Sequence, residues 1–433
     1  MKRNILLIAA AALTALMLNI KAQDVSFESL SSGMAAIRAA SPAVSNPVPA
    51  PAASPAAAPA AQREWLVLVF INGVNDLGIL GFADKSINDM EKVGSSDKVA
   101  VVTEFGILGA DTATRNLKFQ RGSKTLFIQK DADTGAITSP VLYSSNDADM
   151  GSPAHLVRFV KRGIRQFPAK KVAVIVWNHG GGRAGIAWDD VSKNHMEVDQ
   201  LGRAMSQISR ALGRKVDIFA TDACLMQMAE VAYELKDSAS VIVGSEEVIP
   251  GDSFPYDAIL TPLAAAPGMS DEALGSIMVD AYGAYYASEK VTLSALRTSA
   301  LPGFLNLLND WVQTVTSDPK AFEAASSAAV VDGTYHFQAA DSKDLYDYLE
   351  GVNGLLPRSP AAVGAGSALK GYIANNLLIR DTALRGVPKA HGLAIYIPDL
   401  RYSSANYEKF AFAADSLWDD FLKLMMEERL KQP

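Results

Sequence analysis

VAVIVWNHGGGRAG, residues 172–185, decides the fold. Five apolar residues run into Trp177 with no polar alternation, the pattern of a strand covered on both faces. Asn178, His179 and three glycines then break it. In open parallel sheets, ligands sit beyond the carboxyl ends of the strands, and His179 falls at that place.

The same pattern recurs on either side. WLVLVFI (65–71), KVAVVTEF (98–105), TLFIQ (125–129), KVDIFATDA (215–223) and SVIVGSE (240–246) read as strands. Between them, FADKSINDMEKVG, SPAHLVRFVKRGIRQF, VDQLGRAMSQISRALG and LMQMAEVAYELK carry apolar residues at helical spacing. Strands alternating with helices predict an α/β unit built on a mostly parallel sheet with helices on both faces. From about residue 270 the pattern turns helical, with DEALGSIMVDAYGAYYA, LPGFLNLLNDWVQTV and SKDLYDYLEGV. A late strand, HGLAIYIP, and a final helix near residues 417–430 close the chain. The expected boundary separates an α/β unit at 63–267 from a helix-rich C-terminal domain at 268–433.

The N-terminus reads as a signal peptide over residues 1–22: Lys2 and Arg3, an apolar run at 5–20, then Ala22. Residues 23–62 are rich in alanine, proline and serine and read as an extended linker or removable pro-segment. These features predict a secreted or periplasmic protein with no membrane association after signal removal. The formal net charge of −7 argues against a nucleic-acid partner. Cys224 is the single cysteine of the 433 residues, so the chain has no internal disulfide. A lone exported thiol invites a chemical explanation, with a small buried hydrophobe as the plainer one.

Cys224 and His179 both lie at strand carboxyl ends, one strand–helix crossover apart, so the sequence predicts them side by side. A thiolate is the nucleophilic form of cysteine, and a helix N-terminus or an imidazole lowers a thiol's pKa. On this reading Cys224 attacks and His179 shuttles the proton. The amides of Gly180 and Cys224 would stabilise an oxyanion. Three rivals share the opening stretch. Gly180, Gly182 and Gly185 fit a dinucleotide fingerprint, but no helical pattern follows. The HGGG run suits an esterase oxyanion loop, but the chain has no G-x-S-x-G elbow. A zinc site would draw on His179, His195, Asp189 and Asp190, without a recognised ligand spacing. No metal site and no required cofactor is therefore expected.

The spacing of 45 residues from His179 to Cys224 is close to that of caspase-type peptidases. More specifically, the chain resembles the clostripain family of cysteine peptidases, relatives of caspases, gingipains and legumain. The resemblance rests on WLVLVFINGVNDL, VWNHGGG, GIAWDD, TDACLMQMAEVAYELKD, GSEEVIPGDSFPY, DLYDYL and HGLAIYIP. It implies a caspase-like catalytic domain and an endopeptidase that cleaves after Arg or Lys through an acyl-thioenzyme. It also implies His179 and Cys224 as the dyad, with Asp222 on the floor of the S1 pocket. A carboxylate there would select a cationic side chain; the alternative role for Asp222 is a helix cap. Asp252 is either a second acidic pocket residue or an ordinary turn residue. Glu246 and Glu247 read as equally suited to structure. Protein or peptide substrates with a basic P1 residue follow. Some members cleave themselves between the histidine and the cysteine, for which Lys193–Asn194 is the matching bond here. Some use calcium, for which Asp189 and Asp190 are the available oxygen ligands. The chain departs from the family at Arg183, where an aromatic is common, and in the turn NGVND. Two alternatives stay open: a secreted binding homologue without catalysis, and a thiol transpeptidase using the same dyad.

Overall fold

A computed structural model describes residues 62–108, 121–356, 359–383, 387–399 and 401–431. The segments read as signal peptide and linker, through residue 61, lie outside the described residues.

Among the described residues the chain builds a nine-stranded sheet in the order β12-β10-β9-β8-β5-β1-β2-β3-β4. Its members are β1 (Arg63–Gly73), β2 (Val99–Leu108), β3 (Arg121–Phe127), β4 (Val141–Ser145), β5 (Ala169–Trp177), β8 (Val216–Asp222), β9 (Ala239–Gly244), β10 (Thr292–Arg297) and β12 (Leu378–Ala383). Two short hairpin-like pairs stand apart: β6 (Ile186–Asp189) with β7 (Asn194–Met196), and β11 (Ser342–Asp344) with β13 (Ala394–Tyr396). The five central strands, β9 to β2, run parallel, and two antiparallel strands extend each edge.

Strand alternation divides the apolar residues between two cores. Leu66, Leu68 and Phe70 of β1, with Val172, Val174 and Val176 of β5, face one core. Trp65, Val67, Val69 and Ile71, with Ala173, Ile175 and Trp177, face the other. The helices are α1 (Asp76–Ile79), α2 (Phe82–Glu91), α3 (Pro153–Gln166), α4 (Val198–Leu212), α5 (Ala229–Leu235), α6 (Tyr256–Ala265), α7 (Asp271–Tyr285) and α8 (Leu301–Ser317), followed by the C-terminal helices. The buried stripes of α3, α4, α5 and α8 fill the first core. Those of α2, α6 and α7 fill the second. The expected helices form, except that LMQMAEVAYELK is helical only from Ala229, and α3 starts at Pro153 behind Ser152.

The boundary expected at 267 does not separate two structural units. Residues 60–433 form one compact unit. β10 pairs with β9, Ala295 opposite Val243, and β12 pairs with β10. The reason is the sheet edge: β9 is buried and parallel, and its free backbone groups would otherwise be left unpaired. TLSALR and LIRDTA, which supply the missing strands, are too short and polar to have read as strands among helices. The helix-rich segment also supplies Trp311, Tyr348 and Trp418 to the first core, with Trp311 and Phe421 ring centroids 5.3 Å apart. Among the described residues, no helix is long and apolar enough to cross a membrane.

The fit of α3 on β1 yields a stability test. A Cβ on Gly163 would stand 2.5 Å from Cδ2 of Leu68, which is wholly buried. Helix propensity alone favours alanine by about 1 kcal/mol, whereas overpacking costs about 1–3 kcal/mol. Gly163→Ala is therefore expected to lower the urea midpoint; an equal or higher midpoint would show slack between helix and strand.

Candidate active site

The position of the two reactive residues follows from strand register. β5 and β8 pair in parallel with Trp177 opposite Asp222. His179 and Cys224 each lie two residues beyond that pair, and the Asn178 amide donates to Asp222 O at 3.2 Å. The structure thus brings the predicted histidine and cysteine to adjacent strand ends.

A third residue joins them. His179 Nε2 lies 2.7 Å from Asp76 Oδ1. A carboxylate only accepts, so Nε2 carries the proton and the other ring nitrogen, Nδ1, is left for chemistry. The hydrogen bond from His179 holds the Asp76 carboxyl below the usual range for aspartate. Asp76 reaches His179 because β1 neighbours β5 and its turn is pinned. Asn72 Nδ2 and Asn75 Nδ2 both donate to Trp188 O, at 2.9 and 3.1 Å, and Asn178 Nδ2 donates to Asn72 O at 2.7 Å. Sequence reasoning missed Asp76 and this asparagine frame. The signal was available: NGVND closes a strand next to the one that carries His179.

The glycine run has a steric role. A Cβ on Gly180 would lie 2.2 Å from Cys224 O and 3.0 Å from Cys224 N. One on Gly182, at φ +58°, would lie 2.7 Å from Met228 Sδ. The two loops meet backbone to backbone, which only glycine permits. This contact sets the backbone of Gly180 against that of Cys224.

Around the thiol the expectation needs correction. Cys224 does not open a helix: α5 begins at Ala229, and Leu225 between them has φ +64°. The intervening loop is tied to residues 245–249. Leu225 N donates to Glu247 O at 3.1 Å, Gln227 N to Ser245 O at 3.0 Å, and Ile249 N to Cys224 Sγ at 3.3 Å. Burial pushes the Cys224 thiol up to about 11, outweighing the Ile249 amide; Glu247 and Asp222 add to the rise. The resting group is a neutral thiol, the reverse of a dipole-activated thiolate.

Asp222 is not a helix cap. Its Oδ2 accepts from Ser253 Oγ, from Phe254 N at 3.1 Å and from Tyr256 OH at 2.9 Å. Trp177 Nε1 donates in turn to Ser253 Oγ. Oδ1 is buried with no hydrogen-bond partner among the described residues. Burial raises the carboxyl from 3.8 to about 6 against these donors. Asp252 lies exposed on the same loop, its carbonyl 3.4 Å from Lys85 Nζ. Glu247 Oε1 accepts from Val248 N and Gln338 N, and Glu246 is wholly buried with Oε2 on Gly392 N.

The remaining expected residues lie away from the dyad's immediate contacts. Asp189 is buried and already committed, accepting from Val191 N, Ser192 N and Met150 N. His195 stacks on Trp188 with centroids 4.9 Å apart. Lys193 stands exposed at the tip of the β6–β7 turn with φ +57°, and Asn194 Nδ2 donates to Asp149 Oδ2 at 2.9 Å. Arg183 is fully engaged. It pairs with Asp341 at 2.7 Å, and its guanidinium lies 3.5 Å from the Tyr396 ring centroid.

Comparison with known proteins identifies the family of the chain. A family model described as the clostripain family, Peptidase C11, matches residues 69–424. Clostripain from Hathewaya histolytica is 36% identical over 149 residues, covering 30% of this chain; the match spans 27% of that relative's length. A secreted C11 cysteine protease from Bacteroides thetaiotaomicron, solved with an irreversible peptide inhibitor, superposes with a TM-score of 0.62 at 19% identity. The superposition covers 82% of this chain and 99% of that one. An inactive zymogen C11 protease from Parabacteroides distasonis gives 0.61 at 19% identity, covering 82% and 98%. Both share the fold of this chain, a mostly parallel caspase-like sheet flanked by helices.

The burial of Cys224 predicts its reactivity. A rise from 9.0 to about 11 leaves roughly 10²-fold less thiolate at neutral pH. Alkylation by iodoacetamide at pH 7.5 is expected to be slower in the ligand-free folded protein than in the urea-unfolded chain by about that factor. Faster alkylation in the folded state would mean that the imidazole, and not burial, governs the thiol.

Proposed function

The chain belongs to the clostripain family, and from that premise we propose that it is an exported cysteine endopeptidase cleaving after Arg or Lys. The observation that carries the proposal is the shared register of His179 and Cys224 beside a buried carboxylate with one unpaired oxygen.

The chemistry follows from the groups present. The thiol is neutral at rest, so attack requires a base at that moment. His179 Nδ1 takes the proton as Sγ bonds to the scissile carbonyl carbon, and Asp76 stabilises the imidazolium and fixes its orientation. The oxygen turns toward the Gly180 and Cys224 amides, where one donor contributes about 10²–10³ in rate. His179 then gives its proton to the departing amine as the C–N bond breaks. Water, with His179 as base, releases the acyl group and restores the thiol.

Asp222 supports the preference for a basic residue. Its carboxyl is raised by burial, so a neighbouring cation favours the charged form and draws the pKa back down. A guanidinium reaching Oδ1 would give that oxygen the partner it lacks, and Asp252 adds negative charge at the mouth. Export is supported by the N-terminal pattern of Lys2, Arg3 and the apolar run.

A fluorogenic panel with Arg, Lys, Asn and Asp at P1 tests the reading. Turnover is expected for Arg and Lys, and none for Cys224→Ala; Cys224-independent turnover, or none at all, would sink it. Asp222→Asn is expected to reduce kcat/KM for Arg by about 10²-fold, with little loss of folding because the site already favours a neutral carboxyl. In the wild type, Arg should lose its advantage over a neutral P1 residue as the pH falls through about 6. A flat ratio would remove Asp222 from the pocket.

The exposed Lys193–Asn194 turn is proposed as a self-cleavage site. Purified wild type would run as two bands on a denaturing gel and Cys224→Ala as one; one band for both would end the idea.

A further inference from the structure

A groove of about 560 Å³ opens beside the glycine loop. Gly181, Gly182 and Arg183 form its near wall and Leu225 and Met228 its floor, while Arg401 and Lys409 stand on its far rim. It begins one residue from the nucleophile. It lies on the opposite side of the sheet from Asp222: Leu225 and Met228 belong to one core, whereas Phe254 and Tyr256, which hold Asp222, belong to the other.

Three cations line this groove, and two are neutralised. Arg183 is held by Asp341 at 2.7 Å and Lys409 by Glu197 at 2.6 Å. Arg401 is exposed, and its guanidinium has no partner among the described residues. The groove thus carries one uncompensated positive charge on a protein whose formal net charge is −7. That contrast makes the local charge selective, because a carboxylate approaching elsewhere meets a surface of its own sign.

Building on the peptidase reading, we propose that this groove is the subsite for the leaving-group half of the substrate and that Arg401 selects an acidic side chain there. The direction follows from the proton. His179 delivers it to the departing amine, so the departing half lies on the side of His179 and the loop that follows it. The acyl half is anchored across Cys224 at Asp222. Leu225 and Met228 receive the apolar stem of a glutamate, and Arg401 meets its carboxylate in bidentate fashion.

Internally quenched peptides with Arg at P1 test this, with Glu, Ala or Lys placed in turn at each of three positions on either side. The wild type is expected to favour Glu over Lys by about fivefold in kcat/KM at one leaving-side position, the scale of a solvent-accessible ion pair. Arg401→Ala should bring the ratio near one, Arg401→Glu should invert it, and Arg401→Lys should retain part of it. Turnover without that preference, a preference that survives Arg401→Glu, or one confined to the acyl side would each overturn the groove assignment alone. A wild type that also fails on a simple Arg-amide fluorogenic substrate would overturn the peptidase reading, and the groove with it.

Discussion

The parallel register of β5 on β8 is the constraint on which the site depends. With Trp177 opposite Asp222, His179 and Cys224 have no choice but to emerge at the same height. A one-residue slip would send every side chain of β5 to the opposite core. The meeting of His179 and Cys224 is therefore a by-product of core packing: Val172, Val174 and Val176 on one face and Ile175 and Trp177 on the other lock the alignment. Chemistry then occupies the first residues beyond the last packed pair.

Beyond the strand ends, order is kept by backbone contact and by buried polar groups. The glycine loop lies directly against the Cys224 loop; Asn72 and Asn75 tie the turn after β1 to Trp188, and Asn178 ties the end of β5 to Asn72. Arg183 fastens the far side by stacking on Tyr396 and pairing with Asp341. Arg183 thereby combines a flat, stacking group with an ionic anchor. Asp222 belongs to a chain running from Trp177 through Ser253, so its buried carboxyl and the strand that leads to His179 are joined by hydrogen bonds.

Much of this was legible in the sequence, and the losses have causes. Continuous apolar runs in β1, β2, β5, β8 and β9 identify buried parallel strands whatever their partners. β10 and the edge strand β12 do not announce themselves, because both are short, part-polar segments held in the sheet by pairing. Asp76 was hidden because its role depends on β1 lying beside β5, an order that alternation alone does not supply. The state of Cys224 was misread for a related reason. Sequence places a helix after the strand, but the four residues Leu225 to Met228 peel away to pair with 245–249. That loop exchanges dipole stabilisation for burial. Asp189, offered by the sequence as a candidate metal ligand, accepts from three amides that no local pattern reveals.

The grip of the C-terminal segment on the nucleophile loop bears on when the site comes into being. Gln227 O accepts from Ala394 N, and the buried Glu230 accepts from Tyr396 N and Tyr407 OH. These contacts join residues more than 160 positions apart in the chain, and loop closure of that length must precede any reward from them. A ribosome-bound chain lacks its last strands and so lacks the support behind Cys224. In this order of assembly the support behind Cys224 is complete only once the last strands have been made.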